Sequence, residues 1–441
     1  MAAGGGGGAG AVVGGVAGDA GVRLDHPILP GLTAQVAVLP APRVSAFAPL
    51  RHRDFRLLWI GLVISNTGSW MQFVALGYLV DRLTQSPLYL GILAFAQAVP
   101  RLMFALVGGT AADRMDRRRV LLATNLFLLI SAGVLGLLTA TGRIQIWQVL
   151  VLGALNSLVQ SFDVPARHSL VPQLVEEREV LTAVTLNSVA FNGSGIFGPS
   201  LGGVIIAAAG EAGCFYLNAA SFLAVVAALW VMTVPPQQAP SRAPLSDDLR
   251  ESVQLLRADR RVRRFLGALL VLSFFGRPYI RMMPAFAREV LHVGATSLGL
   301  LQAAPGAGTL AAVLLVGRVS EARGMGVLLG TATLIFGILV AAFGVVPSFH
   351  VALALLVLIG TAQSLALSTA NTLIQLAAPP HARGRLMGLY SMVTFGGFAL
   401  GSLPVGAAAD VIGVGPAVSL GGVIVVLLAI WFLPRLRDRE R

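Results

Sequence analysis

From about residue 50 onward the chain alternates between long apolar runs and short polar interruptions. Most of the runs reach or exceed the roughly 18 residues that carry a helix across a bilayer. Twelve can be laid out. Six fall at about 57–80, 88–112, 120–140, 145–162, 181–209 and 215–234, and six more at about 265–287, 297–319, 327–346, 351–377, 386–409 and 417–433. Transmembrane strands would alternate apolar and polar positions in segments of about 10 residues, and that pattern is not seen. The expectation is an all-α membrane protein with twelve transmembrane helices in two six-helix bundles.

The polar stretches divide the chain. Residues 1–48 are rich in Gly, Ala and Pro with little periodicity, and are expected to be disordered. No basic start precedes an apolar core there, so a signal peptide is not expected. The first bundle would span 49–234 and the second 264–435, with a basic tail at 436–441. Between the bundles lies a hydrophilic stretch, 235–263. It begins Pro-rich and then reads as a basic amphipathic helix over 246–264, with Ser246 as N-cap and Asp247 and Asp248 in its first turn. Such a helix belongs at the lipid surface. A shorter amphipathic segment, 163–178, separates the fourth and fifth runs.

Composition fixes the orientation. Only 12% of residues are charged, against about 25% in soluble domains. The net charge of +12 comes from 32 basic residues, all arginine. They concentrate in every second loop, and the opposite loops carry only Arg82, Arg143 and Arg288. That asymmetry places the Arg-rich loops and both termini in the cytoplasm of an inner-membrane protein. It also makes a nucleic-acid role unnecessary. The single Cys, Cys214, forms no disulfide within the chain. The six histidines make no paired metal-binding pattern, and no phosphate-binding Gly-rich loop is present. An enzyme, a cofactor, a metal and built-in ATP drive are therefore not expected.

The two halves repeat. At a shift of 203, Ser188, Gly193, Gly198 and Gly203 fall on Ser391, Gly396, Gly401 and Gly406. Gly109-x-x-x-Asp113 returns as Gly317-x-x-x-Glu321. Repeated six-helix halves are a transporter architecture, with a binding site near the midplane between them.

Few ionisable residues lie inside the runs. Arg101 sits in the second; Arg277 and Arg281 sit one turn apart in the seventh. A central Arg costs about 2.5–3.5 kcal/mol on insertion scales, so it should face protein or water. Two readings stand for the pair on the seventh run. It binds an anionic or carbonyl-rich part of a substrate, or Arg277 pairs with local backbone carbonyls while Arg281 snorkels outward. The carboxylates all fall near run ends. Asp81 and Glu289 are outer-side candidates for proton coupling and Asp54 the inner one, each also readable as an interfacial charge.

The loop Gly109-x-x-x-Asp113-Arg114-x-x-Arg117-Arg118 resembles the signature of the major facilitator superfamily. Gly198-Pro199-Ser-Leu-Gly202-Gly203 resembles the motif of its antiporter members. Ser65-Asn66-x-Gly68-x-Trp70-Met71-Gln72 and Pro165-Ala166-Arg167 are similar to one branch, which includes enterobactin and macrolide exporters. The sequence departs from that pattern in having Asp116, Gly195 and Ser69 where the loop signature or the branch often has Gly, Arg and Asp.

The resemblance, covering about 50–435, implies alternating access and proton-driven export of small organic molecules by a monomer in the lipid bilayer. The alternatives are an uptake or uniport carrier of the same fold, or a membrane receptor that transports nothing. It implies a conformational latch of Gly109, Asp113, Arg114 and Arg117 with Asp163. It implies that the first, fourth, seventh and tenth helices line the cavity, which would place Arg277, Arg281, Asn66, Trp70, Gln72, Asn156, Gln160 and Gln363 at the substrate. In physical terms, Pro199 removes a backbone donor and bends its helix, and the adjacent glycines make a smooth face for close packing.

Overall fold

Residues 45–233, 260–316, 324–378 and 383–437 are described by a computed structural model. Side chains at 105–114, 314–316, 385 and 433–437 are outside that description. The expectations for the first 44 residues, for most of the linker helix and for the Gly317–Glu321 repeat lie outside the described residues.

The apolar runs become helices, and the polar interruptions end them by identifiable means. α1 is Arg53–Thr84. It closes at Gln85, which takes the left-handed conformation (φ 52°) and donates its N–H to the carbonyl of Asp81 at 2.8 Å. Pro87, with no N–H to satisfy, then starts α2, Pro87–Arg114. The turn to α3, Arg117–Ala140, is very short. Asp116 caps α3, accepting from the N–H groups of Arg118 at 2.9 Å and Arg119 at 3.2 Å. The residue that departs from the loop signature is thus a helix cap. α4, Ile146–Leu170, opens with a reciprocal cap between Gln145 and Gln148. It runs past Asp163 and Pro165, so half of the segment expected to be separate is its last two turns.

Two 3₁₀ turns, Val171–Leu174 and Glu177–Glu179, lead into a helical stretch of 52 residues, Val180–Val231. Gly210 breaks it, with φ 70° and ψ −178°, into α5 (180–209) and α6 (211–231). Only Gly takes that conformation without strain. α7 is Arg260–Glu289 and carries a π turn at Leu272–Gly276. α8 is Ala295–Val316, α9 Met325–Phe343 and α10 Phe349–Ala377. α11 spans 383–412 with a second π turn at Met392–Gly396, and α12 is Val414–Arg437. Among the described residues, ten helices are long and apolar enough to cross a membrane, with Glu177–Val231 treated as one of them although it doubles back as α5 and α6.

In the first bundle α1 packs on α5 and α6, α2 on α4, and α3 on α6; in the second, α8 packs on α10 and α9 on both α12 and α10. The bundles meet where α5 lies on α8 and α2 on α11. Large apolar side chains also cover the outside, as with Leu126, Ile130, Val134 and Leu137 along α3. With apolar residues both inside and out, close backbone approach has to select the helix partners. At the α5–α8 crossing a Cβ on Gly203 would stand 2.5 Å from the carbonyl oxygen of Ala295 and 2.9 Å from the Cα of Gly299.

Candidate functional site

The end of the molecule that holds the α1–α2 turn is called distal here, and the end where α1 begins, proximal. Cross-bundle polar ties gather toward the distal end. Arg288, in the last turn of α7, donates from Nε to Asp81 Oδ2 at 2.8 Å and from Nη2 to Asp81 Oδ1 at 3.0 Å. This bidentate pair joins α1 to α7 with the Asp81 side chain 6% exposed. The same Arg288 reaches Glu289 Oε1 at 2.8 Å. Near it, Asp410 of α11 accepts from Ser86 Oγ at 2.7 Å and from the Leu88 N–H at 3.4 Å, capping α2 from the other bundle. Gly406 meets the backbone of Pro87 and Leu88, and Gly91 that of Ser402. Arg82 instead stays within its bundle, bonded to Glu211 at 2.7 Å. Asp81 and Glu289 therefore share one arginine, a juxtaposition that no sequence neighbour suggests for Asp81.

Beneath this closure lie Arg277 and Arg281, roughly 18 and 12 Å from the distal end of α7 at 1.5 Å per residue. The π turn just before Arg277 shifts the helical register ahead of it, and π turns of this kind concentrate at functional sites. Arg277 donates from Nη1 to the carbonyl of Thr394 at 3.1 Å, and Thr394 lies in the facing π turn of α11. Its guanidinium carbon stands 5.1 Å from the centre of the Phe398 ring. Arg281 donates from Nη2 to Gln97 Oε1 on α2 at 2.7 Å. Its guanidinium lies 4.5 Å from the Phe73 ring centre on α1 and 5.8 Å from that of Phe398. Phe398 thus serves both arginines. One turn deeper along α2, Arg101 lies over Phe395 at 5.4 Å.

The other expected substrate residues divide. Trp70 packs edge-on to Phe73, with ring centres 5.7 Å apart, and so joins the wall that holds Arg281. Asn156 is buried and its Oδ1 has no partner among the described residues; the same holds for Gln363 Oε1. Gln160 is half-buried. Gln72 faces the interior of its own bundle, accepting from Asn218 Nδ2 at 2.6 Å. Asn66 accepts from Arg167 Nη1 at 3.4 Å, toward the proximal side.

In the Gly198–Gly203 stretch the glycines are contact points. A Cβ on Gly198 would fall 2.5 Å from the Cβ of Trp70, one on Gly202 would meet Met71, and Gly203 is the cross-bundle contact described above. Pro199 is buried within α5, and its carbonyl oxygen lies where a Cβ on Gly299 would stand, at 2.5 Å.

At the proximal end, Asp163 is 1% exposed and pairs with Arg167 one turn along α4. It also accepts from Thr124 Oγ1 at 2.9 Å and Asn125 Nδ2 at 2.8 Å on α3. Arg117 reaches the same helix elsewhere, donating to the Ser169 carbonyl at 3.4 Å. Arg117 and Asp163 are thus not directly joined in this conformation. The side chains of Asp113 and Arg114, and Gly109 with them, fall outside the described residues. Asp54 lies beside a pocket of about 260 Å³ lined by His52, Arg53, Gln173, Leu174 and Thr233. Its Oδ1 is buried with no partner among the described residues, and next to it His52 Nε2 bonds Glu179 Oε2 at 2.7 Å.

Sequence reasoning missed Gln97, Thr394 and Phe398. Each sits in an apolar run as an ordinary packing residue, and only the meeting of α2, α7 and α11 gives it a role. The two π turns carried no signal in the sequence.

Comparison with known proteins gives one family and many relatives. The family described as transmembrane secretion effector matches residues 44–440. The multidrug efflux pump Tap of Mycolicibacterium fortuitum is 26% identical over 398 residues, covering 87% of this chain and 96% of that protein. The staphyloferrin A transporter of Staphylococcus aureus is 26% identical over 378 residues, covering 83% and 93%. The enterobactin exporter EntS of Citrobacter koseri is 26% identical over 392 residues, covering 88% and 93%. Among solved structures, an inward-facing, occupied bacterial homolog of the human lysosomal transporter Spinster aligns with a TM-score of 0.71 at 15% identity, covering 89% of this chain and 98% of that one.

Proposed function

We propose that this chain, which belongs to the transmembrane secretion effector family of major facilitator transporters, exports small organic molecules across the inner membrane by alternating access. Its relatives include proteins named as drug and siderophore exporters. The observation that carries the reading is the stacking of two arginines with unmet donors beneath a distal closure built from both bundles. On this reading the distal end faces outward, which the arginine distribution of the loops supports. The conformation is then closed to the outside, with the substrate chamber filled from within.

Substrate binds at Arg277 and Arg281, against the wall of Trp70 and Phe73, with Asn156, Gln160 and Gln363 supplying polar contacts. Asn66 and Gln72 act through packing. Export follows when the distal ties release and the proximal side closes, with Asp113, Arg114, Arg117 and Asp163 forming the latch in that second state. Proton antiport enters at Asp81. A proton there removes the anion that holds Arg288, and Glu289 remains to receive the freed guanidinium. Asp54 is the corresponding inner candidate.

The test is transport by the purified protein in proteoliposomes with an imposed pH gradient, using labelled lipophilic drugs and siderophore-like anions. Gradient-driven movement abolished by Asp81→Asn supports proton-coupled export. Movement that ignores the gradient overturns the coupling. Accumulation in the opposite sense would make the protein an uptake carrier.

A further inference from the structure

Among the described residues, the charge around the two arginines is one-sided. Arg277 and Arg281 appear in none of the ion pairs formed among the described residues. The described carboxylates near the distal end are engaged elsewhere: Asp81 and Glu289 with Arg288, Glu211 with Arg82, Asp410 with the start of α2. Two guanidinium groups at membrane depth thus stand without a counter-charge among the described residues. Removing such groups from water is costly unless an anion and hydrogen-bond acceptors replace it.

Their partners show what is missing. Among the described residues each guanidinium has one acceptor, an uncharged carbonyl oxygen, and each keeps a buried Nε–H with no acceptor. Guanidinium presents its donors as a planar fork that matches a carboxylate with two parallel bonds. Aromatic rings stand close to the guanidinium groups, Phe73 at Arg281 and Phe398 at both. At similar depth, Gln302 Oε1 on α8, Gln363 Oε1 on α10 and Asn156 Oδ1 on α4 are buried acceptors with no donor among the described residues. By helix rise they lie about 10 to 21 Å from the distal end, the level of the two arginines.

Arg281 has a second peculiarity. It belongs to the second bundle, and both Gln97 and Phe73 belong to the first. An amide oxygen and a ring face are the neutral counterparts of a carboxylate and an aromatic ligand. We infer that the chamber takes an aromatic organic anion, and that Gln97 and Phe73 stand in its place on Arg281 until it arrives. The ligand's acid group takes the forks of Arg281 and Arg277, and its ring slides between Phe73 and Phe398. Hydroxyl or N–H groups on the ligand answer the orphan amide oxygens. Seating the ligand breaks the Arg281–Gln97 bond, so binding removes a tie between the bundles. This deepens the export reading by naming the substrate class, and it rests on the same chamber.

The experiment is calorimetric titration of the full-length protein in detergent with three probes: 2-naphthoate, its neutral isostere 2-naphthamide, and the non-aromatic anion cyclohexanecarboxylate. Naphthoate is expected to bind at least about tenfold more tightly than either of the others. Arg281→Gln and Arg277→Gln should each lose about tenfold for naphthoate, with Arg277→Lys and Arg281→Lys falling between. Gln97→Ala should bind naphthoate as tightly as the parent or more tightly, because it removes an internal competitor. Size-exclusion profiles and thermal midpoints identify any variant that fails to fold, and the Lys variants then carry the comparison.

Naphthamide within threefold of naphthoate, naphthoate affinity indifferent to both arginines, or no naphthoate binding up to its solubility would each overturn the inference. A large loss in Gln97→Ala would make Gln97 a ligand contact and overturn its stand-in role. The two readings fail separately. Export of neutral and anionic compounds alike would sink the class and leave the exporter. Selective naphthoate binding with no transport of any compound would do the reverse.

Discussion

Asp81→Asn removes one charge from the distal tie while keeping its shape. The pair it breaks is a bidentate one, at 2.8 and 3.0 Å. Its aspartate side chain is 6% exposed and its arginine 34%. Breaking a fully buried pair costs about 3–5 kcal/mol, and an exposed pair contributes about 0–1 kcal/mol. A pair with one buried and one partly solvated partner falls near 2 kcal/mol, the more so because Glu289 still neutralises Arg288. That bond exists only when the distal ends of α1 and α7 are together, so its loss appears directly in the balance between distal-closed and distal-open forms. About 2 kcal/mol is a shift of about 30-fold. A distal-open form present at about 1% would rise to about a quarter of the molecules.

Spin labels at Arg143→Cys and Val345→Cys, in exposed distal turns of the two bundles, would read this as a second, longer distance. The native Cys214 is fully buried and does not compete for label. Glu289→Gln is the control. Glu289 touches Arg288 within one helix and joins no bundles, so it should not populate the longer distance. The reasoning fails if Asp81→Asn leaves the distribution unchanged, or if Glu289→Gln changes it as much.

Three further substitutions probe other parts of the fold. Asp163→Ala should lower the thermal midpoint strongly, by about 3–5 kcal/mol of stability, because it strands Arg167 and two side-chain donors from α3; a midpoint within 2 °C of the parent would refute this. Gly203→Val drives a side chain into the backbone of α8 and should cost about 1–3 kcal/mol of distal closure. The same spin-label pair reads it, with an unchanged distribution as the contrary result. Asp116→Ala removes the cap of α3 and should cost about 1 kcal/mol in unfolding measurements. No loss there would show that the cap is redundant.

The fold was readable because membrane helices write themselves as uninterrupted apolar runs. Where the reading slipped, tertiary partners had overruled a local signal. Asp163 and Pro165 look like the end of α4, yet the helix continues because Asp163 finds Arg167 one turn on and donors on α3. Residues 210–214 look like a polar turn, yet only Gly210 leaves helical geometry, and Glu211 is held by Arg82. The π turns of α7 and α11 arise where the helices press together, with a Cβ on Gly397 only 3.2 Å from that of Ser273. In the site, the arginines stood out because charge is rare in apolar runs. Their partners did not, since Gln97 and Phe398 lie far away in the chain and fit any packed helix. Charge neighbours in sequence also misled: Asp81 and Arg82 are adjacent, but each pairs with a distant residue.

Two of the cross-bundle polar ties that a transport cycle would have to release join α7 to the first bundle at two depths. Arg281–Gln97 lies at chamber depth and Asp81–Arg288 at the distal rim. On the proposed reading an anionic substrate breaks the first and a proton breaks the second. A neutral acceptor bonded to a charged donor contributes about 1.5–3 kcal/mol, and the rim pair about 2 kcal/mol by the estimate above. Moving a two-state equilibrium from 1:99 to 99:1 takes about 5.5 kcal/mol. Each tie covers part of that interval, and the distal Asp410–Ser86 tie, also between the bundles, adds to what must be released. The double variant Asp81→Asn with Gln97→Ala tests the arithmetic without any ligand. With the same spin labels, its shift in the logarithm of the open-to-closed ratio should equal the sum of the single shifts, because the ties do not share a partner. A double variant no more open than Asp81→Asn alone would mean that the chamber tie carries no weight, and substrate binding would then have to act through some other contact.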